Sequence, residues 1–365
     1  MRSLFRDLAA GLLVAAVIGV AAAAAQEAGT SDLRALVQAC RADYRRFCAG
    51  MEPGNGAILT CLRQHADDLS QGCKDVVGRQ QSRVPAGQSG SNNSPASTQT
   101  AASEKLPPGT EVLRDVAYGG DSRQRIDVYR PADAAGAASP LPILVMVHGG
   151  AWAFGDKASP GVVSAKANYW LGRNYIFVSV NNRLVPAADP AQQAADVAAA
   201  IAKVQAEAAA WHGDAARIVL MGHSAGAHLV ALLAADPKIA MAAGAKPWLG
   251  TVALDSAAYD VPAIMAKRHA KFYDAAFGKD PAFWRQVSPI DQLAQKPMPL
   301  LLVCSTRRLA SCGPAKAFAA KAVSLGGQAS VLPEDLSHQQ INVTLGEPGA
   351  YTDKVEAFMQ KLGLP

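Results

Sequence analysis

The sequence predicts an α/β fold, a mainly parallel sheet with helices on both faces, preceded by a small disulfide-linked helical module. Three observations predict it. Apolar runs such as "LPILVMV", "YIFVSV", "RIVLMG" and "LLLV" are continuous rather than alternating, as in strands buried on both faces. Helix-like segments, among them "PAQQAADVAAAIAKVQAEAAAWHG", separate these runs, and such alternation gives parallel strands joined by crossover helices. Finally, four of the 6 cysteines, Cys40, Cys48, Cys61 and Cys73, crowd together ahead of all this.

From the N-terminus, Arg2 and Arg6 precede the apolar run "LAAGLLVAAVIGVAAAAA", which ends in small residues before Gln26. That pattern predicts a signal peptide over residues 1–25, cleaved after Ala25, in preference to a retained anchor. An exported chain, periplasmic or secreted, is therefore expected, with no stable membrane span after cleavage. Export makes disulfides plausible. Residues 30–78 show apolar positions at helical spacing, as in Leu33, Leu36, Val37 and Cys40, interrupted by "PGNG". So short a segment lacks a core of its own and needs staples. Four cysteines allow three pairings, and an antiparallel hairpin favours the nested one, Cys40–Cys73 with Cys48–Cys61. The absence of CxxC spacing argues against a metal. The pattern "C…RFC…PG…CL…LS…C" resembles the cysteine-rich repeat of the Golgi apparatus protein family, which implies a structural or binding module of unknown partner. Residues 79–107, rich in Ser, Gly, Asn, Pro and Thr, read as a flexible linker. Residues 108–365 form the α/β domain.

Composition narrows the function. Hydrophobic residues make up 50% of the chain and charged residues 18%, so a sizeable core is available. The net charge of +5 is spread without long basic runs, which argues against a nucleic-acid partner.

The chemistry lies at turns after strands. Gly222-His223-Ser224-Ala225-Gly226 fits G-x-S-x-G, with a strand before it and the helix "AGAHLVALLAA" behind. A sharp strand-to-helix turn lifts such a serine into an exposed position, and only small residues fit beside it. The bland alternative is an ordinary serine capping a helix. His148-Gly149-Gly150-Ala151-Trp152 follows an earlier buried strand, where glycines can turn backbone N–H groups toward a developing oxyanion. Gly149, Gly150 and Ala225 are the expected oxyanion donors. The general base should be a histidine late in the chain, and His338, on the loop before the last helix, satisfies that order. His148 and His223 belong to the motifs, and His228 is better placed for packing. No cofactor or metal is called for.

Together, "DVYRP", "HGGAW", "VNNRL", "GHSAGAHL" and "SPIDQL" resemble the α/β-hydrolase carboxylesterases of the hormone-sensitive-lipase, feruloyl-esterase and kynurenine-formamidase type. The resemblance spans about residues 110 to 363 and implies hydrolysis of a small-molecule carboxylic ester, or of an aryl formamide, through an acyl-enzyme. Two positions depart from it: Ala151 stands for a third glycine, and Asn182 for a tyrosine. The larger departure concerns the acid. The resemblance implies an aspartate on the loop after "LLLV", yet "CSTRRLASC" places Arg308 there. An arginine cannot accept the imidazole N–H. Asp255, at the end of "LGTVALDS", shares the sheet edge where strand C-termini gather and is the preferred substitute. Glu334, Asp335 and Asp260 are weaker candidates, and the lack of any acid would leave a catalytically weak binding protein. Cys304 and Cys312 are expected to close the vacated loop with a disulfide, which in the entropic picture contributes about 2–3 kcal/mol.

Overall fold

The computed structural model describes residues 39–43, 62, 68–81, 106–131 and 133–365. The expected leader, most of the cysteine-rich segment with Cys48 and Cys61, and nearly all of the expected linker lie outside the described residues. The chain divides into two compact units, Met1–Ser97 and Thr98–Pro365. No helix among the described residues is long and apolar enough to cross a membrane.

In the first unit a disulfide joins Cys40 to Cys73, with the Cα atoms 4.6 Å apart. Cys73 sits in a helix, Gln71–Gln81. Both sulfurs are buried, together with Leu62, Leu69 and Val77. Asp43 accepts hydrogen bonds from the Ser70 N–H at 2.8 Å and the Ser70 hydroxyl at 2.6 Å, just ahead of that helix. A bridge and a polar clasp thus join the described parts of this segment.

The second unit is built on one eight-stranded sheet. Its strands are β1 (Glu111–Ala117), β2 (Arg125–Arg130), β3 (Leu141–Val147), β4 (Ile176–Val180), β5 (Gly213–His223), β6 (Gly250–Leu254), β7 (Leu300–Ser305) and β8 (Ala329–Glu334). Their spatial order is β1-β2-β4-β3-β5-β6-β7-β8. The six strands from β4 to β8 run parallel, while β1 and β2 add an antiparallel edge. Alternate residues of each parallel strand feed two cores. On one side, Ile143, Val145 and Val147 of β3 pack with the helices α2 (Pro190–Glu207), α3 (Ala225–Ala235) and α9 (Cys312–Ser324). On the other, Leu144 and Met146 pack with α1 (Pro160–Leu171), α10 (His338–Val343) and α11 (Ala350–Lys361). Between β6 and β7 the chain makes four short helices: α5 (Val261–Met265), α6 (Lys271–Phe277), α7 (Pro281–Gln286) and α8 (Pro289–Gln292). The remaining helix, α4, covers Pro237–Ala242.

The mainly parallel sheet covered on both faces matches the fold class read from sequence. Two elements escaped that reading. The edge strand β1, "EVLRDVA", is mostly exposed and carries charge where a buried strand would carry valine. Arg114 from β1 and Lys157 both pair with Asp127 of β2, at 2.8 and 2.7 Å, so ion pairs join the partly buried Val112, Leu113 and Val116 in tying this edge down. Helix α1 opens with "PGVV" and buries a lysine, which obscures its apolar stripe.

The sheet fixes one edge. In the parallel register Val147 stands beside Gly222, His223 beside Leu254, and Leu254 beside Val303. The residues that follow β3, β5, β6 and β7 therefore emerge side by side at the carboxyl ends, where open α/β sheets bind ligands.

Buried Lys166 of α1 steadies one element on this edge. Its ammonium donates to the carbonyl of Asn342, at the far end of α10 from His338, and to that of Gly161 at 3.1 Å. Burial lowers its pKa to about 7. A lysine with a depressed folded pKa destabilises most at low pH, where the folded state must bury the charge. That penalty shrinks as pH rises from the folded toward the unfolded value. Comparing melting temperatures of Lys166→Met and the parent should therefore show a difference more favourable to the variant near pH 6 than near about pH 9. A difference independent of pH would refute a charged Lys166 in the fold.

Candidate active site

The turn at Ser224 is strained and well supported. Ser224 has φ 55° and ψ −115°, directly after β5 and directly before α3. Such backbone costs on the order of 1–3 kcal/mol for a non-glycine residue and persists only where its surroundings hold it. Here the Ser224 N–H donates to the Leu254 carbonyl at 2.9 Å, and its own carbonyl accepts from the His228 N–H at 3.1 Å. Every residue of α3 is buried, so the helix behind the serine has no room to move. Gly226 is required by close approach: a Cβ there would lie 2.4 Å from the Val147 and His148 carbonyl oxygens. The end of β3 is thereby pressed against the start of α3.

That contact brings the glycine turn to the serine. A Cβ on Gly149 would stand 3.0 Å from the Ser224 Cβ. Gly149 and Gly150 donate to no backbone carbonyl among the described residues. Ala225 is the first residue of α3, so its N–H has no acceptor within the helix. The three predicted oxyanion donors are thus neighbours with uncommitted N–H groups. Ala151, the departure from a third glycine, adopts φ 50° and tolerates the left-handed turn. Asn182, the departure from tyrosine, is buried and donates to the Arg183 carbonyl at 2.6 Å.

His338 opens α10, whose start is fixed by a capping box between Ser337 and Gln340. Its Nε2 lies 2.9 Å from Ser224 Oγ, and its Nδ1 lies 2.5 Å from Asp255 Oδ2. His223 supports the ring from beneath. The two rings meet at a tilt of 36° with centroids 4.5 Å apart, and His223 Nε2–H donates to the His338 carbonyl at 3.0 Å. Burial, and then the neighbouring His338, push the pKa of His223 down, so it serves as a neutral support. Burial likewise lowers the pKa values of His148 and His228 to about 4. His228 is packed as expected, accepting from Trp152 Nε1–H at 3.1 Å and donating to the Val287 carbonyl at 2.7 Å.

Asp255 follows β6 in a left-handed conformation, φ 56°, with its N–H on the Val303 carbonyl at 2.8 Å. Its carboxylate is wholly buried. Oδ1 accepts from the Ser305 N–H at 2.9 Å and from the Ser311 hydroxyl. Oδ2 accepts from His338 Nδ1–H and, at 2.6 Å, from Arg308 Nη1. Arg308 Nη1 also stands 2.6 Å from His338 Nδ1, but two N–H donors cannot bond each other, so both converge on the carboxylate. Burial opposes the charge on Asp255. The hydrogen bond from His338 and the positive charge of Arg308 outweigh it and hold the carboxyl well below the usual carboxylate range.

The other carboxylates considered from sequence are engaged elsewhere. Glu334 pairs with Lys354 and Asp335 with Arg307, each at 2.8 Å, while Asp260 caps α5. The loop carrying Arg308 is closed by a Cys304–Cys312 disulfide, with Cα atoms 5.1 Å apart. Sequence reasoning treated Arg308 as a mere replacement of an acid, on a loop without further duty. The structure corrects this, because Arg308, Ser305 and Ser311 of that loop all donate to Asp255. No cluster of His, Cys, Asp or Glu among the described residues could hold a metal ion. Beside the glycine turn a small recess is lined by residues that include Trp152, Asn182 and Leu229. Trp152 is buried under α6, with the Phe277 ring 4.8 Å and the Tyr273 ring 5.8 Å away.

Comparison with known proteins agrees with this architecture. Esterase B from Lactobacillus rhamnosis superposes with a TM-score of 0.59 at 18% identity, covering 84% of this chain and 96% of that one. The domain has the α/β-hydrolase fold. Residues 126–246 match the BD-FAE family, and residues 33–70 match a cysteine-rich repeat family. Esterase LipC of Mycobacterium tuberculosis is 29% identical over 56% of this chain and 55% of its own length. A probable isoprenylcysteine alpha-carbonyl methylesterase of Arabidopsis thaliana is 34% identical over 33% of this chain. The chain thus spans about half the length of the first relative and about a quarter, 24%, of the second.

The carboxylate contacts make a sharp contrast. Asp255→Asn should slow reaction of Ser224 with a fluorophosphonate by about 10⁴-fold, through loss of control over the imidazole tautomer. Asp335→Asn, altering an exposed carboxylate, should react at the parental rate. Equal rates in Asp255→Asn and the parent would remove Asp255 from the site.

Proposed function

We propose that the α/β-hydrolase domain is a serine carboxylesterase that acts on small-molecule esters through an acyl-enzyme, in an exported protein. One observation carries the reading: the continuous chain from Ser224 Oγ to His338 Nε2 at 2.9 Å and from His338 Nδ1 to Asp255 at 2.5 Å. His338 Nε2 takes the Ser224 proton as Oγ attacks the acyl carbon. Asp255 holds the Nδ1 proton in place and stabilises the imidazolium that forms. Negative charge develops on the carbonyl oxygen, and the N–H groups of Gly149, Gly150 and Ala225 receive it without reorganising. The imidazolium then protonates the departing alkoxide. Water, deprotonated by His338, releases the acid and restores Ser224.

The esterase relatives support the choice of a carboxylic ester as substrate. The apolar residues Trp152, Phe154, Leu184 and Leu229 that line the recess beside the glycine turn support an apolar acyl or alcohol group there. Export rests on the basic-apolar leader and on the disulfides Cys40–Cys73 and Cys304–Cys312, which suit an oxidising compartment.

Purified protein should hydrolyse p-nitrophenyl acetate and take one fluorophosphonate label, on Ser224. Ser224→Ala should lose the label and about 10⁴-fold or more of the turnover, with its melting temperature intact. Absence of both turnover and label in the parent would return the domain to the class of binding proteins.

A further inference from the structure

The loop between Cys304 and Cys312 offers more than support. Asp255 is the target of four donors, and three of them, Ser305 N–H, Ser311 Oγ–H and Arg308 Nη1–H, come from this loop. The fourth is His338 Nδ1–H. A carboxylate offers about four acceptor positions, so the side chain has no second orientation that keeps its partners. Arg308 Nη1 also donates to the main-chain carbonyl of Asp255 at 3.1 Å, so it grips the residue at two points. The same nitrogen stands 2.6 Å from His338 Nδ1. A fixed positive charge therefore touches both the acid and the base.

We propose that Arg308 is a positioning residue of the esterase site: it locks Asp255 on the end of β6, and its charge sets how far into acid the site works. The catalytic part of this inference rests on the function proposed above. Two effects act in one direction. A cation beside the imidazole disfavours the imidazolium directly. A cation on Oδ2 also weakens the pull of Asp255 on a second proton. Removing Arg308 lifts both, so protonation of the base becomes easier and the acid limb of activity moves to higher pH.

The other charged groups near α10 leave this place to Arg308. His223, beneath the ring, is buried and held neutral. Lys166 reaches the opposite end of α10 through Asn342. Arg307 points to the surface, bound to Asp335 and Gln340. Glu334 is held by Lys354. From α6, Tyr273 approaches Arg308 but keeps its proton, because burial raises its pKa.

The test compares the parent with Arg308→Gln, Arg308→Lys and Ser311→Ala, with Arg308→Met as a second neutral variant should glutamine fail to fold. Three curves are recorded against pH: kcat/KM for an aryl acetate, the rate of fluorophosphonate labelling, and the NMR titration of the His338 imidazole, assigned with His338→Asn. The neutral variants should move the acid limb and the NMR midpoint up by about one pH unit, with a loss in kcat and little change in KM. Arg308→Lys should bring both back toward the parent. Ser311→Ala, which removes an uncharged donor, should lower the rate without moving the limb. Superimposable curves for the parent and a folded neutral variant would overturn the proposal, as would equal shifts in the glutamine and lysine variants. Should the parent neither turn over nor label, the esterase reading fails, while the NMR midpoint still decides the role of Arg308.

Discussion

The buried carboxylate of Asp255 is the constraint on which the site depends. A charge removed from water is costly unless every lone pair is engaged. Here β6 delivers the carboxylate, the loop after β7 delivers three of its donors, and α10 delivers the imidazole. None of these elements is adjacent in sequence; Asp255 and His338 are 83 residues apart. The parallel sheet solves this by setting the ends of β5, β6 and β7 in consecutive rows, so that short turns bring serine, carboxylate and arginine together.

Strain is distributed over the same edge. Ser224, Asp255, Ala151 and Trp152 all have positive φ, and each follows a strand or a glycine turn of the site. A backbone in these conformations relaxes unless its neighbours hold it. The fully buried α3 and the close contact at Gly226 supply that restraint from behind.

Much of this was legible in sequence, for reasons that differ by element. Continuous apolar runs revealed β3 to β7, because a strand buried on both faces needs apolar side chains at every position. The elbow and the glycine turn were legible because close backbone contact admits only small residues. Asp255 could be favoured since strand ends share an edge, a rule of topology that needs no knowledge of side-chain direction. The edge strand β1 was not legible, because its burial is slight and its ties are partly ionic. Arg308 was misread for a deeper reason. Read alone, an arginine where the family resemblance implies an aspartate looks like a lost function. Its meaning depends on a carboxylate 53 residues away, and no local pattern encodes that pairing.

The contact between Asp255 and Arg308 links positions 255 and 308 into a single unit of change. Returning an aspartate to position 308 while keeping Asp255 would set two carboxylates against one imidazole with no cation between them, and one would have to remain protonated. Removing Asp255 first would strand a partly buried guanidinium beside the base. Neither single step conserves the site, so the arrangement is locked against gradual reversal. Any reading that scores positions one at a time will miss such a pair, in which the carboxylate and the guanidinium have meaning only together.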